Sequence, residues 1–164
     1  MAKQKEEKTN VMRVLEQKKV PYTPHSYPYG GDTAPDGVRV AQMLAQNPAA
    51  VFKTLVAKGA SGGYYVFDIP VAGTLDLKKA AKAVGEKSIS MLPAKELLPL
   101  TGYVHGGCSP VGMKKRLPTV FHESCLEQSA ICVSAGKVGF QVELKPADLI
   151  ALVGGTTADL ISEA

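Results

Sequence analysis

Three features of the sequence predict one mixed α/β domain. Short β-rich runs alternate with segments whose apolar residues recur at helical spacing. No repeat, low-complexity tract or linker divides the 164 residues, a length that suits one sizeable core. A 45% hydrophobic and 21% charged composition belongs to a chain that folds rather than to a disordered one.

The elements follow in order. Residues 1–8 form a charged lead-in, too polar for a secretory signal. From Thr9, the apolar Val11, Met12, Val14 and Leu15 predict a short helix that stops before Val20-Pro21. Pro21 to Gly37, rich in Pro, Gly and Tyr, reads as a strand and then a loop. Asp36 is placed to cap a second helix with Val40, Ala41, Leu44 and Ala45 inward. Val51–Ala57 and Tyr64–Ile69 read as a hairpin joined through Gly59–Gly63.

Asp76 opens the clearest helix, in which Leu77, Ala80, Ala81 and Val84 share one face and Gly85 provides the stop. A short strand at Ser88–Met91 and a helical turn at Ala94–Leu98 follow. After a glycine-rich segment, Gly102–Gly112, β runs recur at Thr119–His122, Ala130–Ser134 and Phe140–Leu144. Pro146 suits the first turn of a last helix, with Leu149, Ile150, Leu152 and Val153 inward and Gly154 ending it.

Composition excludes several function classes. No apolar stretch approaches the ~20 residues of a membrane-spanning helix. Cys108, Cys125 and Cys132 are odd in number and form no Cys-x-x-Cys, which excludes a disulfide scaffold and makes a reducing cytoplasm the expectation. The net charge of +4 permits a nucleic-acid partner without requiring one. Trp is absent and aromatics are 6%, which argues against a broad stacking platform for single strands.

Four constellations bear on chemistry. Lys53 interrupts the apolar run Phe52–Val56. It is either a solvent-facing strand residue or a cation aimed into a cleft, where it would hold a phosphate or polarise a carbonyl. Gly106-Gly-Cys-Ser-Pro-Val-Gly112 is either a tight connection or a loop whose backbone N–H groups approach a ligand. It is not a Walker loop, because Met113 stands at the lysine position and no Ser/Thr follows Lys114. His105-x-x-Cys108 and His122-x-x-Cys125 have a spacing that occurs in metal sites, but neither Cys-x-x-Cys nor His-Glu-x-x-His is present; the thiols read as buried or incidental cysteines, and we expect no metal. The cations Lys78, Lys79, Lys82, Lys114, Lys115, Arg116 and Lys137 either coat a solvated surface or flank a cleft that attracts phosphates.

Seven sequence words, in order, are similar to the YbaK/EbsC family of prolyl-tRNA editing proteins and to its Cys-tRNA(Pro) deacylase branch. They are His25-Ser-Tyr27, Val51–Leu55, Pro70–Lys79, Thr101-Gly-Tyr103, Gly106–Gly112, Lys114–Thr119 and Val133–Lys137, spanning roughly Val11 to Val153. The resemblance implies a barrel-like mixed β-sheet flanked by helices, an editing domain over 9–154, and tails at 1–8 and 155–164. It implies a free-standing enzyme that removes mischarged cysteine from the 3′ end of tRNA(Pro), with transient recruitment by prolyl-tRNA synthetase and no cofactor.

Residue by residue, the resemblance makes Lys53, Gly106 and Gly107 catalytic. Tyr27, Ser109, Pro110, Ser134 and Gly136 become substrate contacts, and Lys114, Lys115, Arg116 and Lys137 tRNA contacts. In this branch the substrate's own thiol attacks its ester carbonyl, so the protein needs mainly to hold a near-attack geometry. Two places depart from the family pattern: Gln141 stands where relatives carry an acid, and the loop Gly30–Gly37 differs in form. Both bear on which aminoacyl group fits. A water-using Ala-tRNA(Pro) deacylase and a catalytically silent tRNA- or synthetase-binding module are the alternatives.

Overall fold

The computed structural model describes residues 8–29 and 34–162. Part of the Gly30–Gly37 loop therefore lies outside the described residues. Helix α1 (Asn10–Gln17) starts where Thr9 accepts a hydrogen bond from the Met12 N–H, and it buries Val11, Met12 and Leu15. Strand β1 (Thr23–Ser26) leads to α2 (Gly37–Met43), capped by Asp36. That helix ends earlier than expected. Ala45 takes a left-handed φ of 53° and is exposed, leaving Val40 and Ala41 as the buried face.

The predicted hairpin is β2 (Phe52–Gly59) and β3 (Tyr64–Pro70), paired antiparallel with Lys53 opposite Ile69 and Thr54 opposite Asp68. Helix α3 (Leu77–Val84) has the expected Asp76 cap and a left-handed Gly85 at its end. Its first residue, Leu77, is 40% exposed rather than inward, and Ala80 and Ala81 make the contact with the sheet. After β4 (Ile89–Met91), the helical turn is longer than expected: α4 runs Ala94–Thr101 across Pro99 and stops at left-handed Gly102. β5 (Thr119–His122), β6 (Ile131–Ser134), β7 (Phe140–Leu144) and α5 (Pro146–Val153) follow.

Two corrections concern architecture. The strands do not close into a barrel but form two sheets, ordered β1-β7-β6 and β4-β2-β3-β5-β8. The large sheet is mixed, since β5 pairs parallel with β3, and the sheets meet at the bridge between Val51 and Cys132. The second correction is at the C-terminal segment. Residues 155–164, expected as a tail, contain β8 (Thr156–Ala158), which pairs parallel with β5. Leu160 beyond it is fully buried, and the Asp76 N–H donates to its carbonyl. An alternation too short to register as a strand is fixed by this burial.

The large sheet separates two cores. On one face α3 packs against Ala57, Phe67, Ile69, Val120 and Leu160. On the other, Phe52, Val56, Val66 and Phe121 meet α1, α5 and the inner residues Ile131, Val133, Val142 and Leu144 of the small sheet. Period-two alternation places Ser134, Gln141 and His25 on the opposite side of that small sheet.

Candidate functional site

The cleft is built around half of one strand. β4 pairs with β2 only over Ala57–Gly59, so among the described residues no strand pairs with Phe52–Val56 on that edge. All five of these residues line a cleft of about 550 Å³. Lys53 and Thr54 are consecutive, so their side chains leave on opposite faces of the strand, and the cleft wraps its edge. Asp36 and Val38 from α2 and its cap, Leu97 from α4, His105, Gly106 and Cys108 from the glycine-rich loop, and Tyr27, Ser134, Phe140 and Gln141 from the small sheet complete the wall.

Lys53 is half-buried. Burial pushes its ammonium pKa down, and the neighbouring Asp36 carboxylate opposes that shift. Asp36 is fixed in turn, because its Oδ1 accepts the Arg39 N–H at 2.8 Å as the cap of α2. A cation with one nearby anion among the described residues, in a concave, partly apolar site, is equipped to hold a phosphate or a polarised carbonyl. Tyr27 extends β1 by donating its N–H to the Gly139 carbonyl at 2.9 Å. Ser134 Oγ accepts the Gly136 N–H at 3.1 Å, leaving its own proton for another acceptor. Gln141 is buried, and its Oε1 accepts from Gln46 Nε2 at 2.8 Å, giving that wall a neutral amide.

The structure thus brings Lys53, Gly106, Tyr27 and Ser134 together and puts the other expected residues elsewhere. Gly106 has φ +88°, and a Cβ there would lie 2.7 Å from Ala34 Cβ, so only glycine fits. Gly107 is buried outside the cleft lining, and its N–H is spent on the Val104 carbonyl. Ser109 is fully buried, its Oγ accepting the Val111 N–H. Gly136 packs against Tyr103 and Val11 in a left-handed turn. Pro110 and Arg116 line a separate depression of about 210 Å³ against Val14 and Leu152. Lys114 and Lys115 are exposed outside both concavities. Lys137 is exposed and does not line the cleft, but its Nζ lies 5.6 Å from the centroid of the Phe140 ring, which does.

None of the three thiols is poised as a nucleophile. Burial, together with the Asp68 carboxyl, pushes Cys108 up to about 12 and Cys125 to about 11. Burial and Glu143 push Cys132 to about 12. The spacing pairs His105/Cys108 and His122/Cys125 do not assemble a shared set of ligands among the described residues. His25, Cys132 and Glu143 do come within 4.8 Å of one another, the first and last joined by a 2.7 Å hydrogen bond. Thr54, Asp36 and Asp68 were not singled out as site residues from the sequence. An acid inside the apolar run Tyr65–Ile69 was the available signal for Asp68.

The model of the aminoacyl-tRNA editing domain matches residues 33–152. An Enterococcus faecalis (strain ATCC 700802 / V583) protein, provisionally named Cys-tRNA(Pro)/Cys-tRNA(Cys) deacylase EbsC, is 45% identical over 99% of both chains. A solved structure provisionally described as a trans-editing enzyme for prolyl-tRNA synthetase is 28% identical. It superposes with a TM-score of 0.79 over 93% of this chain and 95% of its own. Hypothetical protein APE2540, at 21% identity, shares the fold with a TM-score of 0.82 over 93% of this chain and 99% of its own. The chain is a member of the aminoacyl-tRNA editing domain (YbaK) family.

Proposed function

We propose that this protein is a trans-editing deacylase that releases cysteine from Cys-tRNA(Pro). The observation that carries the reading is the cleft at the open edge of β2, where Lys53, Gly106, Tyr27 and Ser134 converge in a chain 45% identical to EbsC over its full length. The cleft's volume suits a terminal aminoacyl-adenosine rather than a folded macromolecule, within the usual range for small-molecule sites.

In the proposed reaction the substrate's sulfur attacks its own ester carbonyl carbon. The C–S bond forms, the C–O bond to the ribose breaks, the thiol's proton passes to solvent, and the released ribose oxygen takes a proton. A cyclic thiolactone and free tRNA result. The high pKa values of Cys108, Cys125 and Cys132 support a nucleophile supplied by the substrate. Lys53 stabilises negative charge developing on the carbonyl or leaving oxygen, and Gly106 lets the backbone approach it. With the Gly107 N–H engaged by Val104, this role falls on Gly106 alone of the two.

Tyr27 and Ser134 hold the aminoacyl-adenosine end in this proposal. Of the four expected tRNA contacts, Lys137, over the Phe140 ring that lines the cleft, is placed toward the bound acceptor end in this proposal, while Lys114, Lys115 and Arg116 reach phosphates farther along the stem. Cytoplasmic localisation and transient delivery by prolyl-tRNA synthetase follow from the same reading. No described helix is long and apolar enough to cross a membrane.

The test is to incubate the protein with Cys-, Ala- and Pro-tRNA(Pro) and follow both the acyl bond and the released product. Selective cleavage of Cys-tRNA(Pro) with thiolactone release is expected. Selective release of free alanine would replace this reading with attack by water. No cleavage of any substrate would leave a binding module.

A further inference from the structure

The most unusual group near the cleft is one that no step above uses. Asp68 sits in β3, in the middle of the large sheet, with no exposure to solvent. Thr54, its cross-strand partner on β2, donates its hydroxyl to Asp68 Oδ1 at 2.5 Å. The second carboxyl oxygen, Oδ2, is buried with no hydrogen-bond partner among the described residues. Cys108 from the glycine-rich loop and Cys125 from the Glu123–Glu127 turn are the titratable groups that face it, and both are neutral thiols. Phe121 lies opposite on β5. No ion pair among the described residues includes Asp68.

A buried carboxylate with one hydrogen bond and no cation is costly, and protonation relieves that cost. Burial accordingly pushes Asp68 up to about 7, so both of its forms are accessible under ordinary conditions. Thr54 lines the cleft from the strand face opposite Lys53 and has a single hydroxyl proton to place. Its neighbour therefore decides where that proton points.

We propose that Asp68 is a positioning residue that sets the hydrogen-bond polarity of Thr54 at the wall of the cleft. With Asp68 ionised, the Thr54 proton is committed to the carboxylate, and only oxygen lone pairs face a ligand. With Asp68 protonated, the carboxyl donates to Thr54 Oγ1, and the threonine proton is free for an acceptor such as the ester carbonyl. The inference rests on the aminoacyl-end reading of the cleft and adds a regulated donor to it.

The experiment measures binding of an amide-linked cysteinyl-adenosine, whose acyl bond is not cleaved, from about pH 5.5 to 8.5. The ligand's α-amine titrates in part of this range, so the decisive quantity is the difference between wild type and Asp68→Asn. One lost hydrogen bond corresponds to about a tenfold weakening as Asp68 ionises. That weakening is expected in wild type and in Thr54→Ser, and is expected to vanish in Asp68→Asn and in Thr54→Val. A merely structural role for Asp68 would shift affinity at every pH alike. Profiles that coincide for wild type and Asp68→Asn overturn this inference and leave the cleft reading intact. Absence of binding at every pH overturns both.

Discussion

At Lys53, two neighbours set the chemistry: a desolvating strand edge that lowers its pKa and the capping carboxylate of Asp36 that opposes the shift. A half-buried lysine contributes little to folding, so Lys53→Ala is expected to lose most deacylation while shifting stability by no more than about 1 kcal/mol. Deacylation rates beside a thermal melt check this, and unchanged activity would return Lys53 to the role of an ordinary strand residue. Cys108 gives the complementary test. It lines the cleft, yet its thiol is held protonated by burial. Cys108→Ser is expected to retain substantial activity on Cys-tRNA(Pro), whereas Ser-tRNA(Pro), with a far poorer nucleophile, is expected to react much more slowly with either protein. Loss of cleavage in a folded Cys108→Ser would make the protein's own sulfur the nucleophile. Equal rates on the two substrates would point to water.

Among the elements, the glycine-rich loop acts through its close packing. Gly106 meets Ala34 ahead of α2, and Gly107 packs against the backbone of Lys137 and Val138 in the β6–β7 turn. Gly106→Ala combines a left-handed φ with a methyl 2.7 Å from Ala34 Cβ, and is expected to cost about 1–2 kcal/mol and to depress activity further by displacing the loop. Denaturant titration and steady-state rates on the same variant separate the two effects. How much of this was legible in the sequence depends on the range of the forces involved. The Asp36 cap, the helix starts at Thr9 and Asp76, and the Gly85 and Gly154 stops are local, and each stands where the residues placed it; that Thr9 serves as a cap is seen in the structure. Lys53 showed itself as a charge in an apolar strand, but its partner Asp36 read only as a cap. The division of the glycine loop, with Gly106 at the cleft and Gly107, Ser109 and Pro110 turned away, depends on contacts with distant segments that spacing does not encode. So do β8, whose three residues acquire strand character by pairing with β5, and the open edge of β2.

Over the whole molecule, charge and burial make two further predictions. If Lys114, Lys115 and Arg116 lie along the acceptor stem, apparent affinity for tRNA falls steeply with added salt. Neutralising Lys114 and Lys115 together is expected to raise KM more than it lowers kcat, because such contacts hold ground and transition states alike. A KM indifferent to salt would remove them from the tRNA path. Asp68 adds its own pH dependence to stability. Its folded pKa of about 7 lies above the ordinary 3.8, so between these values the folded state keeps a proton that the unfolded state has lost. Stability is therefore expected to fall as pH rises through that window and to level off above it, by about 4 kcal/mol in all from this group. Denaturant midpoints of wild type and Asp68→Asn should converge near pH 4 and diverge toward pH 8; parallel curves would remove Asp68 as the cause. A different consequence comes from the C-terminal strand. The Asp76 N–H donates to Leu160, the Ser162 N–H donates to Thr74, and β8 lies along β5, so the start of α3 is pinned by residues made long after it on the ribosome. The α3 face of the sheet cannot close during synthesis of the first half of the chain. Nascent chains halted before Thr156 should expose the apolar surface of Phe67, Ile69 and Val120 to chaperones, and they should become protease-resistant only when the final strand emerges.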